Sequence, residues 1–104
     1  MFDVSVIIPV YNAEKFIEAA VLSALKIDCV KEILLIEDNS PDNCLEICIT
    51  LSNTYPKVKL FRHPNGENRG AGASRNLGIE KARASFISFL DADDYYLPNR
   101  FDEA

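Results

Sequence analysis

Phe86-Ile87-Ser88-Phe89-Leu90-Asp91-Ala92-Asp93-Asp94 is the stretch whose reading decides the fold. A short apolar run without internal charge ends abruptly in acids. Bulky residues on both faces of such a run suit a strand buried in a parallel sheet. The carboxylates then project at the strand's C-terminal end, the edge where open α/β sheets bind ligands beside a topological switch point. Asp91 and Asp93 are two residues apart, so an extended backbone directs both to the same side. Converging carboxylates suit a hard divalent cation such as Mg or Mn, which takes oxygen ligands and bridges to phosphates. Taken alone, an acidic turn capping a following helix is an equally good reading, and the rest of the chain has to decide between them.

Upstream of this stretch, residues 71–82 read as a helix with an unusual run of small residues, Gly72, Ala73, Ser74 and Gly78. Glycine inside a helix costs about 1 kcal/mol against alanine, so close approach to the sheet or to a ligand is expected there. The loop from His63 to Gly70 is polar and rich in turn formers, and His63, the only histidine, is expected at the surface. Val58-Lys59-Leu60-Phe61-Arg62 alternates apolar with polar residues, as a strand near a sheet edge would. The helix before it carries Cys44, Ile47, Cys48, Leu51 and Tyr55 as an inner stripe and stops at Pro56. Asn39 to Asn43 supplies turn and cap residues. Ile33-Leu34-Leu35-Ile36 is a second buried strand, ending in Glu37-Asp38.

At the other end of the chain, Val4 to Val10 is a β-branched run that reads as a central parallel strand, failing at Pro9. Tyr11-Asn12 is its turn, with Asn12 suited to cap a helix from Ala13 to Leu25. Phe16, Ile17, Ala20, Val21, Ala24 and Leu25 are that helix's apolar positions. After the acids, Tyr95 to Arg100 begins a further element with Pro98 at its first helical position. The alternation is β-α-β-α-β-α-β, which implies a parallel sheet with right-handed crossovers. If the fourth strand returns beside the first, the order is 3-2-1-4, and Tyr11, Asp38 and Asp91 reach one cleft.

Composition narrows the function. The 104 residues suffice for one domain, 48% apolar content indicates a folded chain, and a net charge of −5 argues against a nucleic-acid partner. No apolar run approaches bilayer-spanning length and no leader pattern opens the chain, so a cytoplasmic setting is expected. Cys29, Cys44 and Cys48 show no CxxC spacing, and Cys44 and Cys48 lie one helical turn apart. Buried reduced thiols are the reading, rather than zinc ligands or a disulfide.

Four motifs in order, Val6-Ile7-Ile8-Pro9-Val10-Tyr11-Asn12, Ile36-Glu37-Asp38-Asn39-Ser40-Pro41-Asp42, Asn68 to Gly78, and Leu90-Asp91-Ala92-Asp93-Asp94, resemble family 2 glycosyltransferases of the GT-A fold. The resemblance covers almost the whole chain. It implies a three-layer αβα, Rossmann-like α/β fold with a mainly parallel sheet, incomplete at its C-terminal side, as one nucleotide-sugar-binding domain over residues 1–104. It further implies inverting, metal-assisted hexosyl transfer from a nucleotide-diphosphate sugar, a UDP-sugar first of all, to a glycan or lipid-linked acceptor. Polysaccharide biosynthesis, with peripheral association at the inner face of the membrane, is the corresponding setting.

Position by position, the resemblance places Pro9 and Tyr11 against the nucleotide base, with the phenol stacked on it, and Asp38 at the base edge. Asn68 and Arg75 lie near the diphosphate or the DxD carboxylates. Asp91 holds the ribose or assists with the metal, Asp93 ligates the Mn or Mg ion, and Asp94 is structural. Glu37 stands where the family more often has Asp. The catalytic base, with most of the acceptor pocket, belongs to the half that follows the DxD strand and is expected beyond residue 104. The chain by itself is therefore expected to bind a donor without turnover, and a nucleotide-sugar-binding fragment is the main rival reading. A haloacid-dehalogenase-type phosphatase is a remote one, because its DxD follows the first strand. In this chain the strand Phe86 to Leu90 is also expected to be an exposed sheet edge prone to self-association.

Overall fold

The computed structural model describes residues 2–98 and 100–101. Strand β1 (Val4–Val10) is followed by helix α1 (Ile17–Leu25), β2 (Val30–Glu37), α2 (Cys44–Thr54), β3 (Val58–Arg62), α3 (Gly70–Lys81) and β4 (Phe86–Phe89). β1 lies between β2 and β4, β3 pairs outside β2, and every pairing is parallel, so the order is β3-β2-β1-β4, as expected. Val10 stands opposite Glu37 and Glu37 opposite Arg62, which brings three strand ends level at the carboxyl edge. The order reverses direction between β1 and β4, and that gap is the switch point.

Alternation along β1 divides the interior into two cores. Val4, Val6, Ile8 and Val10 pack with Ile17, Ala20 and Val21 of α1 and with Cys44, Cys48 and Leu51 of α2. Ile7 faces the other way and packs with Leu34, Ile36 and, from α3, Leu77. Helices thus cover both faces of the sheet in three layers, and the central strands are apolar on both sides for that reason. Gly78 is the point of closest approach. A Cβ there would collide with Cγ2 of Ile7, so only glycine lets α3 sit this near β1. Gly72, by contrast, has open space around it, so its smallness has no packing cause on the sheet side.

Three expectations change. β4 is not buried on both faces: Phe86, Ile87 and Phe89 are 54%, 41% and 44% exposed, because among the described residues β1 is its one neighbour. The edge position itself is as expected. Helix α1 begins at Ile17, not Ala13, and Asn12 does not cap it. Asn12 adopts a left-handed conformation (φ 54°), its N–H donates to Ser40 Oγ, and the N–H of Glu14 donates to Asp42 Oδ2. These bonds to the neighbouring loop hold residues 12–14 out of the helix. The element expected from Tyr95 to Arg100 includes Asn99, which lies outside the described residues; Tyr95, Tyr96 and Leu97 are not helical.

Cys29, Cys44 and Cys48 are free, and the last two are buried. No helix among the described residues is long and apolar enough to cross a membrane.

Candidate functional site

The carboxyl edge of the sheet opens into a cleft of about 300 Å³. Pro9, Tyr11, Asp38, Arg75, Asp91 and Asp93 all line it, so six of the seven residues singled out in the sequence meet in one place. Asn68 is the exception. Its side-chain amide donates to the Asp38 carbonyl at 2.8 Å, which makes it a strut of the wall and not part of the lining.

Each side chain is placed by a strand end or by the loop that follows. Asp38 continues the ladder, its N–H donating to the Val10 carbonyl at 2.9 Å, and so lies beside the turn that carries Tyr11. Its carboxylate is 5% exposed and accepts the N–H of Arg69 at 2.7 Å and of Gly70 at 2.9 Å, one on each oxygen. A carboxylate at a helix N-terminus satisfies amides that have no partner within the helix and meets the positive end of the dipole. A second lone pair on each oxygen remains available for a further donor.

The turn after β2 is held by Glu37. Its buried carboxylate accepts the N–H groups of Asn39 and Ser40 and pairs with Arg62 at 3.0 Å. Burial alone would raise its pKa, but these hydrogen bonds outweigh burial and hold it below the ordinary value of 4.5. Ser40 in turn accepts from Asn12, and Asp42 bridges Glu14 and Cys44 at the start of α2. A chain of contacts therefore runs from Arg62 to the loop bearing Tyr11. Tyr11 is 51% exposed and lines the cleft.

On the opposite wall, Leu90 donates to the Ile7 carbonyl and the chain then leaves the ladder through Asp91, Ala92 and Asp93. The N–H of Asp94 donates to the Asp91 carbonyl at 3.0 Å, closing a turn, and the Asp94 carboxylate accepts the N–H of Tyr95, in keeping with a structural part. Tyr96 clamps the segment. Its hydroxyl meets Ser88 Oγ at 2.6 Å and its N–H donates to Ser23, while burial raises its phenol pKa.

Among the described residues, no ion pair engages Arg75, Asp91 or Asp93, and no cluster of three or more His, Cys, Asp or Glu side chains is arranged to hold a metal by itself. Two exposed, unpaired carboxylates suit a Mg or Mn ion whose remaining ligands are water and ligand phosphate. A wider groove of about 650 Å³ adjoins the cleft and shares Arg75 and Asp91 with it.

The sequence did not reveal two residues of the cleft lining and one directly behind it. Phe16, assigned to the buried stripe of α1, is 51% exposed and lines the cleft, because it precedes the first helical turn. Ser74 was noted only for its size, yet it is fully buried in the cleft wall. His63 is not at the surface: it is 5% exposed, 3.0 Å from Ser74 Oγ and 3.5 Å from Asp38 Oδ1. A His-Pro pair in a polar loop gives no sign of burial. The signal lay in Ser74, a polar residue on the inner face of a helix, which needs a polar partner.

A family model described as glycosyl transferase family 2 matches residues 5–104. A Haemophilus influenzae protein described as an uncharacterized glycosyltransferase is 39% identical over 101 residues, covering 96% of this chain and 40% of the relative. The crystal structure of S. aureus TarS 1–349 in complex with UDP-GlcNAc superimposes with a TM-score of 0.83 at 31% identity, over 97% of this chain and 29% of that one. The mannosyltransferase PcManGT from Pyrobaculum calidifontis, solved with GDP-Man and Mn2+, shares the fold at a TM-score of 0.80 and 23% identity, over 96% of this chain and 31% of that one. The chain thus spans well under half the length of these relatives. With the motif order, the sheet order and the matched span in agreement, the chain belongs to glycosyl transferase family 2.

Proposed function

We propose that the cleft is the donor site of a glycosyltransferase that moves a hexosyl group from a UDP-sugar to a glycan or lipid-linked acceptor, with inversion and with help from a divalent cation. The observation that carries this reading is the meeting of Tyr11, Asp38, Arg75, Asp91 and Asp93 in one cleft at the β1/β4 switch point. UDP-GlcNAc bound to TarS 1–349, which is similar to this chain over 97% of the present sequence, supports a uridine nucleotide as the ligand.

In this reading the exposed face of Tyr11 stacks on the base, beside Pro9. Asp38, held rigid by α3, offers its remaining lone pairs to an N–H on the base edge. Asp91 meets the ribose or the ion, and Asp93 holds the ion directly. A bound divalent cation would neutralise charge as the nucleoside diphosphate leaves. Arg75 adds a fixed positive charge on the same side, with the planar donor geometry suited to phosphate. These groups are positioned before reaction and so need no reorganisation as charge develops. The acceptor hydroxyl needs a carboxylate base within hydrogen-bond reach, and none of the cleft residues named here is given that part.

Calorimetric titration of UDP in manganese buffer, repeated with EDTA, tests the reading. Binding that weakens on chelation is expected. Failure of UDP to bind with manganese present sinks it.

A further inference from the structure

His63 sits behind the cleft and not in it, yet both groups it meets line the cleft. Its Nε2 lies 3.0 Å from Ser74 Oγ and 3.5 Å from Asp38 Oδ1, and all three residues are at least 95% buried. An ionised carboxylate only accepts, so a bare Nε2 would turn a lone pair toward Asp38; the tautomer that fits carries its proton on Nε2. That N–H donates to the Ser74 hydroxyl, and the ring edge faces the Asp38 carboxylate at 3.5 Å, an electrostatic contact and not a hydrogen bond.

Joining β2 to α3 does not require the imidazole. Each Asp38 oxygen already takes one backbone N–H, from Arg69 and from Gly70. What the imidazole adds is direction. Its polar edge lies behind Asp38 Oδ1 and holds the Ser74 hydroxyl beside it, which biases the direction in which the free lone pairs face the cleft.

We propose that His63 is a positioning residue for nucleotide recognition, orienting Asp38 and Ser74 from behind so that the cleft discriminates one base edge from another. The inference rests on the donor-site reading above, with Asp38 at the base. It assigns base preference to a residue that never touches the ligand.

The test compares His63→Leu, which keeps bulk and removes the donor, with His63→Gln, whose side-chain amide places an N–H close to the position of Nε2. UDP and CDP are titrated into each full chain in manganese buffer, and thermal midpoints are recorded alongside. For His63→Leu, UDP affinity falls roughly tenfold, as expected for a misdirected hydrogen bond to a charged group, and the preference for UDP over CDP narrows. His63→Gln restores both. If the Leu variant does not fold, His63→Asn takes its place, since the shorter amide falls short of both oxygens.

Parental affinity and preference in the donor-less variant overturn the proposal. So does a Gln variant that regains the thermal midpoint without regaining the preference, for that is a structural role alone. A parent chain that does not bind UDP at all overturns the donor-site reading, and this inference with it, before any variant is compared.

Discussion

The Asp38 carboxylate accepts the backbone N–H of Gly70 at 2.9 Å, which ties the end of β2 to the first turn of α3. The same carboxylate takes the Arg69 N–H on its other oxygen, so one side chain closes a helix N-terminus and faces the cleft. Asp38→Ala leaves two partly buried amides without acceptors. A loss of about 2 kcal/mol is expected from the missing cap and the orphaned donors. Urea denaturation followed by circular dichroism measures it. A variant as stable as the parent would show that the α3 terminus finds other partners.

Glu32 and Glu37 are expected to lead the acid transition of the fold. Burial raises the pKa of each and is the largest single influence. Hydrogen bonds from Ser5, the Arg83 N–H and Lys59 on Glu32, and from Ser40, Asn39 and Arg62 on Glu37, outweigh it, and both groups titrate below the ordinary 4.5. A folded-state pKa below the unfolded one means that the unfolded chain binds more protons in acid. The stabilisation is complete above the unfolded pKa and is lost as pH falls through the folded values. The thermal midpoint is therefore expected to hold from about pH 7 to about pH 5 and to fall steadily below that. Glu37→Gln starts lower at neutral pH, and its gap from the parent should narrow toward pH 3. A gap constant across this range would mean that Glu37 does not lead the acid transition.

The sheet was legible because its strands alternate with helices and because both faces of β1 and β2 are apolar. Those two features fix parallel pairing and three layers without reference to any partner. The cleft was legible for a related reason: residues at strand C-termini share one edge whatever their distance in sequence. Asn12, Phe16 and His63 were misread because their positions depend on contacts between loops. Asn12 is held by Ser40, 28 residues away, and His63 by Ser74 across a turn-rich segment. Hydrophobic period carries no information about such bonds. The resemblance places Asn68 near the diphosphate or the DxD carboxylates, whereas its side-chain amide is taken by the Asp38 carbonyl.

Gly72 and Gly78 of α3 should answer oppositely to the same substitution. At Gly78 an added methyl meets Ile7, with Cγ1 and Cδ1 at 3.0 and 3.1 Å and Cγ2 nearer still, and Ile7 is fully buried with no room to yield. Overpacking of this kind costs about 1–3 kcal/mol, and the gain of up to about 1 kcal/mol in helix propensity offsets only part of it. At Gly72 the methyl meets nothing within 4 Å, so the propensity gain stands alone. Gly78→Ala should lower the thermal midpoint and Gly72→Ala raise it. Equal shifts in both variants would remove close packing as the reason for Gly78.

Asp93 and Asp91 should separate by their dependence on metal. If Asp93 holds the cation, Asp93→Asn loses the part of UDP affinity that manganese confers, on the order of tenfold for a lost charged ligand. Binding in EDTA should be untouched. Asp91→Asn, if the residue also meets the ribose, weakens binding in both buffers. Titrations of UDP with and without manganese distinguish the two, and an Asp93 variant whose affinity still responds fully to manganese would move the cation elsewhere.

β4 presents Phe86, Ile87 and Phe89 to solvent along a strand whose outer side pairs with no other strand among the described residues, only its Phe89 carbonyl taking the Tyr96 hydroxyl. Unpaired, apolar edges template the addition of another strand. Phe2 packs on Phe86 with ring centroids 4.9 Å apart, which extends the apolar surface around the amino-terminal end of the strand. The 104-residue chain is therefore expected to self-associate reversibly, its weight-average mass in sedimentation rising with concentration. Ile87→Lys places a charge on this edge without touching the cleft, because Ile87 pairs with Ser5 at the far end of β1. That variant should sediment as a monomer at concentrations where the parent does not, with UDP affinity unchanged. A parent that stays monomeric at high concentration would show that the strand's shortness and the acidic surface suffice to protect the edge.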